Sequence, residues 1–317
     1  MIEKNVTNSR RTIKINFSDF WEGFTPENNF LYDTLSKHFN IQLSDDPEFL
    51  IYSNFGNEFI QYNCTKVFYT GENVRPNFWE TDFSISFDYE SHKGKNLRYP
   101  LYNLYGDINS LLDRKNPQLI LSQKTKFCNM VVSNPKGRER FEFFKLLNKY
   151  KHLDSGGKIS NNIGGPIANK RDFIRNYKFT MAFENSSYPG YTTEKIIEPM
   201  YENSIPIYWG NPNIDSEFNT ESFVNVHNFS SLKEAAEYVA YLDQNDNDYM
   251  KILKEPWLKN NELNQYMNEF NLVKFFDHVF SSRHNKTSGK TKNLIATNNY
   301  FWFRLKYFFT RKNKWNA

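Results

Sequence analysis

The 317-residue sequence is 39% hydrophobic and 18% aromatic, the composition of a soluble globular chain with a packed core, and its length exceeds the roughly 250–300 residues that one core fills, so two domains are predicted. The formal charge of +4 is unevenly placed: no acid follows Asp277, nine Lys or Arg lie from Arg283 onward, and the remainder holds 31 basic against 36 acidic residues, so the positive excess belongs to a tail. No run reaches the roughly 18 apolar residues of a membrane span, the first dozen residues lack the apolar core of a signal peptide, and Cys64 and Cys128 sit in no metal-binding or disulfide pattern, which together predict a cytoplasmic chain with reduced thiols.

Thr12–Phe20 reads as a first strand, and Glu27–His38 follows with Phe30, Leu31 and Leu35 at helical spacing. Glu48–Phe55, Lys66–Thr70 and Asp82–Asp88 read as further strands, and a helix is expected around Pro100–Leu112. The polar stretch Asp113–Lys126 is the linker candidate. After it the pattern restarts: strand Phe127–Ser133, helix Gly137–Tyr150, a Gly-rich loop over Ser155–Gly165, short helix Asp172–Tyr177 and strand Lys178–Phe183. Helix Thr193–Asn203 and strands Ile205–Trp209 and Phe223–Val226 come next, and Ser231–Leu242 and Glu262–Phe280 are helical. Strands alternating with helices predict two α/β halves with parallel sheets. The expected domains are 1–115, 116–281 and a basic aromatic tail, 282–317.

The loop FENSSYPGYTTEK, residues 183–195, gathers unusual polar chemistry. Glu184 and Asn185 emerge at the carboxyl end of an apolar strand, where ligands of open α/β sheets bind. Pro189-Gly190 suits a tight turn that delivers Tyr191 ahead of a helix. Thr192 can cap that helix, and Glu194 and Lys195 then occupy its first turn, where free N–H groups and the dipole favour an anion. A lysine beside such donors suits a diphosphate, and a glutamate can accept hydrogen bonds from sugar hydroxyls. By spacing alone the same Glu-Lys pair also fits a solvated helix start. Pro199 falls inside the helix and should kink it or delay its start.

The run from Tyr177 to Phe229 resembles the signature region of the α1,3-fucosyltransferase family, which carries a FEN, GY-x-TEK-I and IPIYWG pattern in that order. VFYTGEN at Val67–Asn73 and VSNPKGRER at Val132–Arg140 are further matches. The resemblance covers most of residues 60–230. It implies a GT-B fold, two Rossmann-like α/β/α domains facing across a cleft, with GDP-fucose on the C-terminal one and the acceptor sugar on the N-terminal one. The family's donor residues map onto Asn185, Tyr191, Glu194 and Lys195. By this mapping Glu194 binds ribose while Lys195 and Arg140 hold the diphosphate. Arg138 competes for the arginine role, and the RFEFFKLL run favours Arg140.

Inverting transfer needs a base for the acceptor hydroxyl and cations for the departing diphosphate. The resemblance makes Glu72 of YTGEN the catalytic base; taken alone it reads as a solvated turn residue. Glu90 and Glu184 rank below it. Asp246-Asn247-Asp248 spells the DxD with which GT-A enzymes hold Mn²⁺, but it lies in a polar turn with no buried strand before it, so no metal is expected and Arg140 and Lys195 supply the positive charge instead. His227 lies within the matched block as a satisfied strand-end residue.

The implied reaction is transfer of L-fucose from GDP-fucose, with inversion, to the N-acetylglucosamine of a Galβ1,4-GlcNAc, N-acetyllactosamine-type, surface glycan. The alternative is α1,4 or dual linkage, or another GDP-sugar. In the tail, Asn299–Trp315 interleaves aromatics with Arg and Lys, ingredients for an anionic inner-membrane surface. Nucleic acid uses the same ingredients and defines the rival class, a tail-driven binder; under the fucosyltransferase reading no nucleic-acid partner is expected.

Overall fold

The computed structural model describes residues 11–282 together with 293–294 and 297–298. In chain order come β1 (Thr12–Ser18), α1 (Phe30–His38), β2 (Asn40–Leu43), β3 (Phe49–Tyr52), β4 (Thr65–Tyr69), β5 (Phe83–Ser86) and β6 (Asn96–Arg98). Next are α2 (Pro117–Gln123), β7 (Lys126–Met130), α3 (Arg138–Leu147), β8 (Leu153–Ser155), α4 (Lys170–Ile174), β9 (Tyr177–Phe183) and α5 (Glu194–Tyr201). The chain continues through β10 (Ile205–Trp209), β11 (Val224–Asn225), α6 (Leu232–Gln244), α7 (Asp246–Lys254) and α8 (Phe270–Ser281).

The strands form two wholly parallel sheets, ordered β2-β1-β3-β4-β5-β6 and β11-β10-β9-β7-β8. Taken from its own first strand, each begins 2-1-3-4-5, so the order reverses between β1 and β3 in one and between β7 and β9 in the other. Ligands of such sheets bind outside the carboxyl ends of the strands at that reversal. The central strands are apolar throughout because helices and loops cover both faces: β4 is buried at every position, and β9 at all but Lys178.

Of the described residues, one compact unit comprises 11–86, 90–98 and 269–282, with 293–294 and 297–298; the other comprises 87–89 and 99–268. Within the first, α8 buries Leu272, Val273, Phe275, Phe276, Val279 and Phe280, with Phe280 against Phe39 and Phe49 and Phe275 against Phe83. Within the second, one continuous core runs from Tyr102 to Met267.

These units differ from the boundaries expected at 115/116 and 281/282. Tyr99–Leu112 belongs with the second unit because Tyr102 is fully buried against Phe218 and donates to Glu217 at 2.8 Å. It is not one helix but two 3₁₀ turns, Leu101–Leu104 and Ile108–Leu112, separated by Gly106 at φ 72°, where a Cβ would stand 2.7 Å from the Tyr201 ring. The supposed linker is the helix α2: Asn116 caps it, Pro117 opens it, and Pro117 and Ile120 are buried. Pro199 does not delay α5. The helix starts at Glu194 and closes in a Schellman turn, with Asn203 at φ 51° and Ser204 N–H donating to Pro199 O at 2.9 Å.

Among the described residues, no helix is long and apolar enough to cross a membrane. All but a few residues of the 282–317 tail, and the whole of Asn299–Trp315, lie outside them.

Candidate active site

β9 ends at Phe183, and Glu184 remains tied to the sheet through its N–H, which donates to Trp209 O at 2.8 Å. Its side chain is fully buried. A Cβ at residue 210 would fall 2.3 Å from Glu184 Cγ, so Gly210 is what admits the carboxylate. Thr193, which rather than Thr192 is the N-cap of α5, donates its backbone N–H to Glu184 Oε1 at 2.7 Å, and its hydroxyl lies 2.9 and 2.8 Å from the two carboxylate oxygens. Glu184 therefore fixes the start of α5 to the end of β9.

The Lys195 ammonium lies 3.3 Å from Glu184 Oε2 and 3.3 Å from Glu194 Oε1, and donates to the Thr193 hydroxyl at 2.9 Å. Burial by itself would depress the Lys195 pKa, but Glu184 and Glu194 together raise it, so the amine stays charged. Burial raises Glu184 against the pull of Lys195. For Glu194 burial acts in the same upward sense, yet Lys195 and Lys170 hold it below the ordinary carboxylate value. The site is a charged cluster at the N-terminus of a helix, whose first-turn N–H groups the helix cannot satisfy.

Arg140 reaches this cluster from α3 and keeps only 1% of its surface exposed. Its Nη2 donates to Phe183 O at 2.7 Å and Asn185 Oδ1 at 2.9 Å, and its Nη1 to Lys136 O at 3.1 Å. Its Nε is buried without a partner among the described residues. Burial lowers its pKa, and Glu184 opposes that. Arg140 thus clamps the loops after β7 and β9 and orients Asn185. The rival Arg138 has an 89% exposed side chain, 3.9 Å from Glu142 one turn on.

Tyr191 is 2% exposed, with its ring edge-on to Phe87 at 5.1 Å. The turn before it is held by a residue that sequence reasoning missed, Asn211. This fully buried amide accepts from Gly190 N–H at 2.8 Å and donates to Thr192 Oγ1 at 3.1 Å and Glu217 Oε1 at 2.9 Å. Glu217, 1% exposed, also accepts from the Tyr89 and Tyr102 hydroxyls at 2.9 and 2.8 Å. Asn211 follows the IPIYWG motif by one residue, so its place at the end of β10 was the available signal.

The structure brings Arg140, Asn185, Tyr191, Glu194 and Lys195 together in the second unit. Glu72 belongs to the first. It follows β4 in a turn closed by Thr70, whose hydroxyl accepts Glu72 N–H at 3.0 Å and donates to Glu72 O at 3.1 Å. The residue is exposed. Glu90 is also exposed and lies 3.4 Å from His92. His227 stacks on Trp209 with its Nε2 3.3 Å from Gly210 O. Asp246 and Asp248 stand in the first turn of α7, paired with Lys178 at 2.9 Å and Lys251 at 2.6 Å. Among the described residues, no group of three or more His, Cys, Asp or Glu is placed to hold a metal ion.

Residues 121–294 match the glycosyltransferase family 10 (fucosyltransferase) C-terminal model, more than half of the chain. The chain belongs to glycosyltransferase family 10. Residues 15–105 match the α-(1,3)-fucosyltransferase FucT N-terminal domain. The family 10 chain is 34% identical to the α-(1,3)-fucosyltransferase FucT of Helicobacter pylori across 80% of its own length, and it spans 62% of that relative. It is similar to the crystal structure of an α1,3-fucosyltransferase at TM-score 0.75 and 29% identity, covering 89% of this chain and 93% of that one. For an α1,3-fucosyltransferase crystallised with GDP-fucose the values are 0.73 and 30%, covering 89% and 94%. The architecture is accordingly GT-B, with two Rossmann-like α/β units.

Proposed function

We propose that this chain is an α1,3-fucosyltransferase that moves L-fucose from GDP-fucose to the N-acetylglucosamine of a Galβ1,4-GlcNAc-type glycan, with inversion. The observation that carries the reading is the convergence of Arg140, Asn185, Glu194 and Lys195 where the strand order reverses, in a chain of a fucosyltransferase family. Lys195 and the opening amides of α5 meet the diphosphate, and Glu194 accepts from ribose hydroxyls. Arg140, as buried as it is, contributes positive potential and holds Asn185 in place rather than extending into solvent.

In the reaction, the Glu72 carboxylate takes the acceptor hydroxyl proton as that oxygen bonds to C1 of fucose. The C1–phosphate oxygen bond breaks and GDP departs with the electron pair, its new charge met by Lys195. No step draws on Asp246 or Asp248, whose carboxylates are engaged with lysines, and transfer is expected to continue in EDTA. The acid-free, lysine-rich sequence after Asp277 supports attachment to an anionic membrane surface.

The test is incubation with GDP-fucose and a panel of N-acetyllactosamine, its β1,3-linked isomer and lactose, with linkage analysis of the product. Fucose on O3 of the glucosamine is expected. Release of no GDP with any acceptor would contradict the reading.

A further inference from the structure

Apolar rings left in water need a reason when they are held rigidly together. In the first unit, Trp21 is 44% exposed and Phe55 52%, and they meet edge to face with centroids 6.4 Å apart. Beneath them Phe20 and Phe24 stack at 4.0 Å, Trp21 contacts Phe24 at 5.3 Å, and Phe20 stacks on Tyr69 at 5.8 Å.

The backbone below is stitched. Asp19, at φ 59°, accepts Glu58 N–H and Phe59 N–H at 2.8 Å each through its carboxylate, and its carbonyl accepts Phe55 N–H at 3.0 Å. Gly56 permits this closeness, since a Cβ there would fall 2.2 Å from Asp19 Oδ1. The loop after β1 and the loop after β3 are thus one body, and its aromatic surface is set before any ligand arrives.

Position says what that surface meets. β1 and β3 are the strands between which the first sheet reverses its order, and these loops leave their carboxyl ends. The same edge carries Glu72: Tyr69 ends β4 under Phe20, and the next residue, Thr70, has its hydroxyl 3.1 Å from Asn54 Oδ1 while holding the Glu72 turn. Asn54 directly precedes Phe55. A hexopyranose is hydroxylated around its rim but presents C–H groups on a face, which suits an aromatic shelf flanked by an amide.

We infer that Trp21 and Phe55 are specificity-determining residues, the stacking platform for a neutral hexose of the acceptor, with Asn54 as its polar flank. This rests on the fucosyltransferase reading and extends it to named acceptor contacts. The test compares the full-length wild type with Trp21→Ala, Phe55→Ala and Trp21→Phe, using N-acetyllactosamine as acceptor. Either alanine variant is expected to raise the acceptor KM by about tenfold while the KM for GDP-fucose stays within about twofold, and Trp21→Phe is expected to recover most of the loss.

An acceptor KM unchanged in both alanine variants overturns the platform. A change of oligomeric state with unaltered KM does so too, since the surface would then meet a second copy. Parallel loss of donor and acceptor affinity, unrestored by Trp21→Phe, would show a structural role instead and also overturn it. A wild type that transfers fucose while the variants behave identically to it defeats this inference alone, whereas a wild type with no transfer defeats the activity reading beneath it.

Discussion

Glu72 and Glu184 show how position divides work between two carboxylates of similar sequence context. Glu184 is fully buried and bonded to Thr193 and Lys195, so it is a structural anchor. Glu72 is exposed in a turn held through its backbone, and its carboxylate is the base proposed above. Glu72→Gln is expected to lower kcat by about a hundredfold or more while leaving GDP affinity intact, measured by turnover and titration. Retained turnover would return the base role to another residue. Lys115 is a second residue with a checkable consequence. Its ammonium is buried without a hydrogen-bond partner among the described residues, 3.5 Å over the Trp257 ring, and burial drops its pKa to about 7 against the pull of Glu255. The folded value lies below the unfolded one, so the unfolded chain binds more protons between pH 7 and about 10.4, and stability from this group rises with pH across that window. Lys115→Met is therefore expected to be more stable than wild type at pH 6, with the gap narrowing by on the order of 2 kcal/mol by pH 10 in paired urea melts. Sequence placed Asn185, Tyr191, Glu194 and Lys195 side by side because the FEN and TEK motifs are local, whereas Arg140 and Glu72 were named only through the family resemblance. It did not show Asn211 or Glu217, whose importance comes from packing that joins Tyr89, Tyr102 and Thr192, residues far apart in the chain.

At the scale of elements, the turn that presents Tyr191 is closed by Tyr191 N–H to Tyr188 O at 3.0 Å, with Gly190 at φ 86°, and is braced further by a side chain from after β10. Asn211 receives Gly190 N–H on its oxygen and directs its amide at Glu217. Asn211→Asp keeps the first contact and sets a carboxylate against the buried Glu217 carboxylate. A loss of about 2–4 kcal/mol is expected in denaturant melts, together with weaker GDP binding, since the turn leads into α5. Asn211→Asp with wild-type stability would show that the network is dispensable. Ile205–Trp209 was legible residue for residue, because five apolar or aromatic residues between turn signals admit little else. The short strands β2, β6 and β8, of four, three and three residues, were not, because so few positions carry no period. α7 was missed for another reason: Asp246, Asn247 and Asp248 resemble a turn by composition, whereas acids in a first turn complement the helix dipole.

For the whole molecule, the chain builds most of one unit, completes the other, and returns to finish the first with α8. Sequence reading assigned that last helix to the preceding domain because neighbours in sequence are usually neighbours in space. Its six buried side chains correspond to roughly 9–18 kcal/mol of burial, comparable with the whole stability of an ordinary domain. A chain ended at Asn268 is expected to lose hydrogen-exchange protection across β1–β6 while β7, β9 and β10 keep theirs. Protection retained in β3 and β4 would show that α8 is peripheral to that core. The central claim concerns the charged cluster at the start of α5, and calorimetric titration with GDP tests it most directly, using wild type, Lys195→Ala and Glu72→Gln in EDTA. The account predicts measurable binding to wild type and Glu72→Gln, and a Kd raised about tenfold or more in Lys195→Ala. Equal GDP affinity in wild type and Lys195→Ala would contradict it.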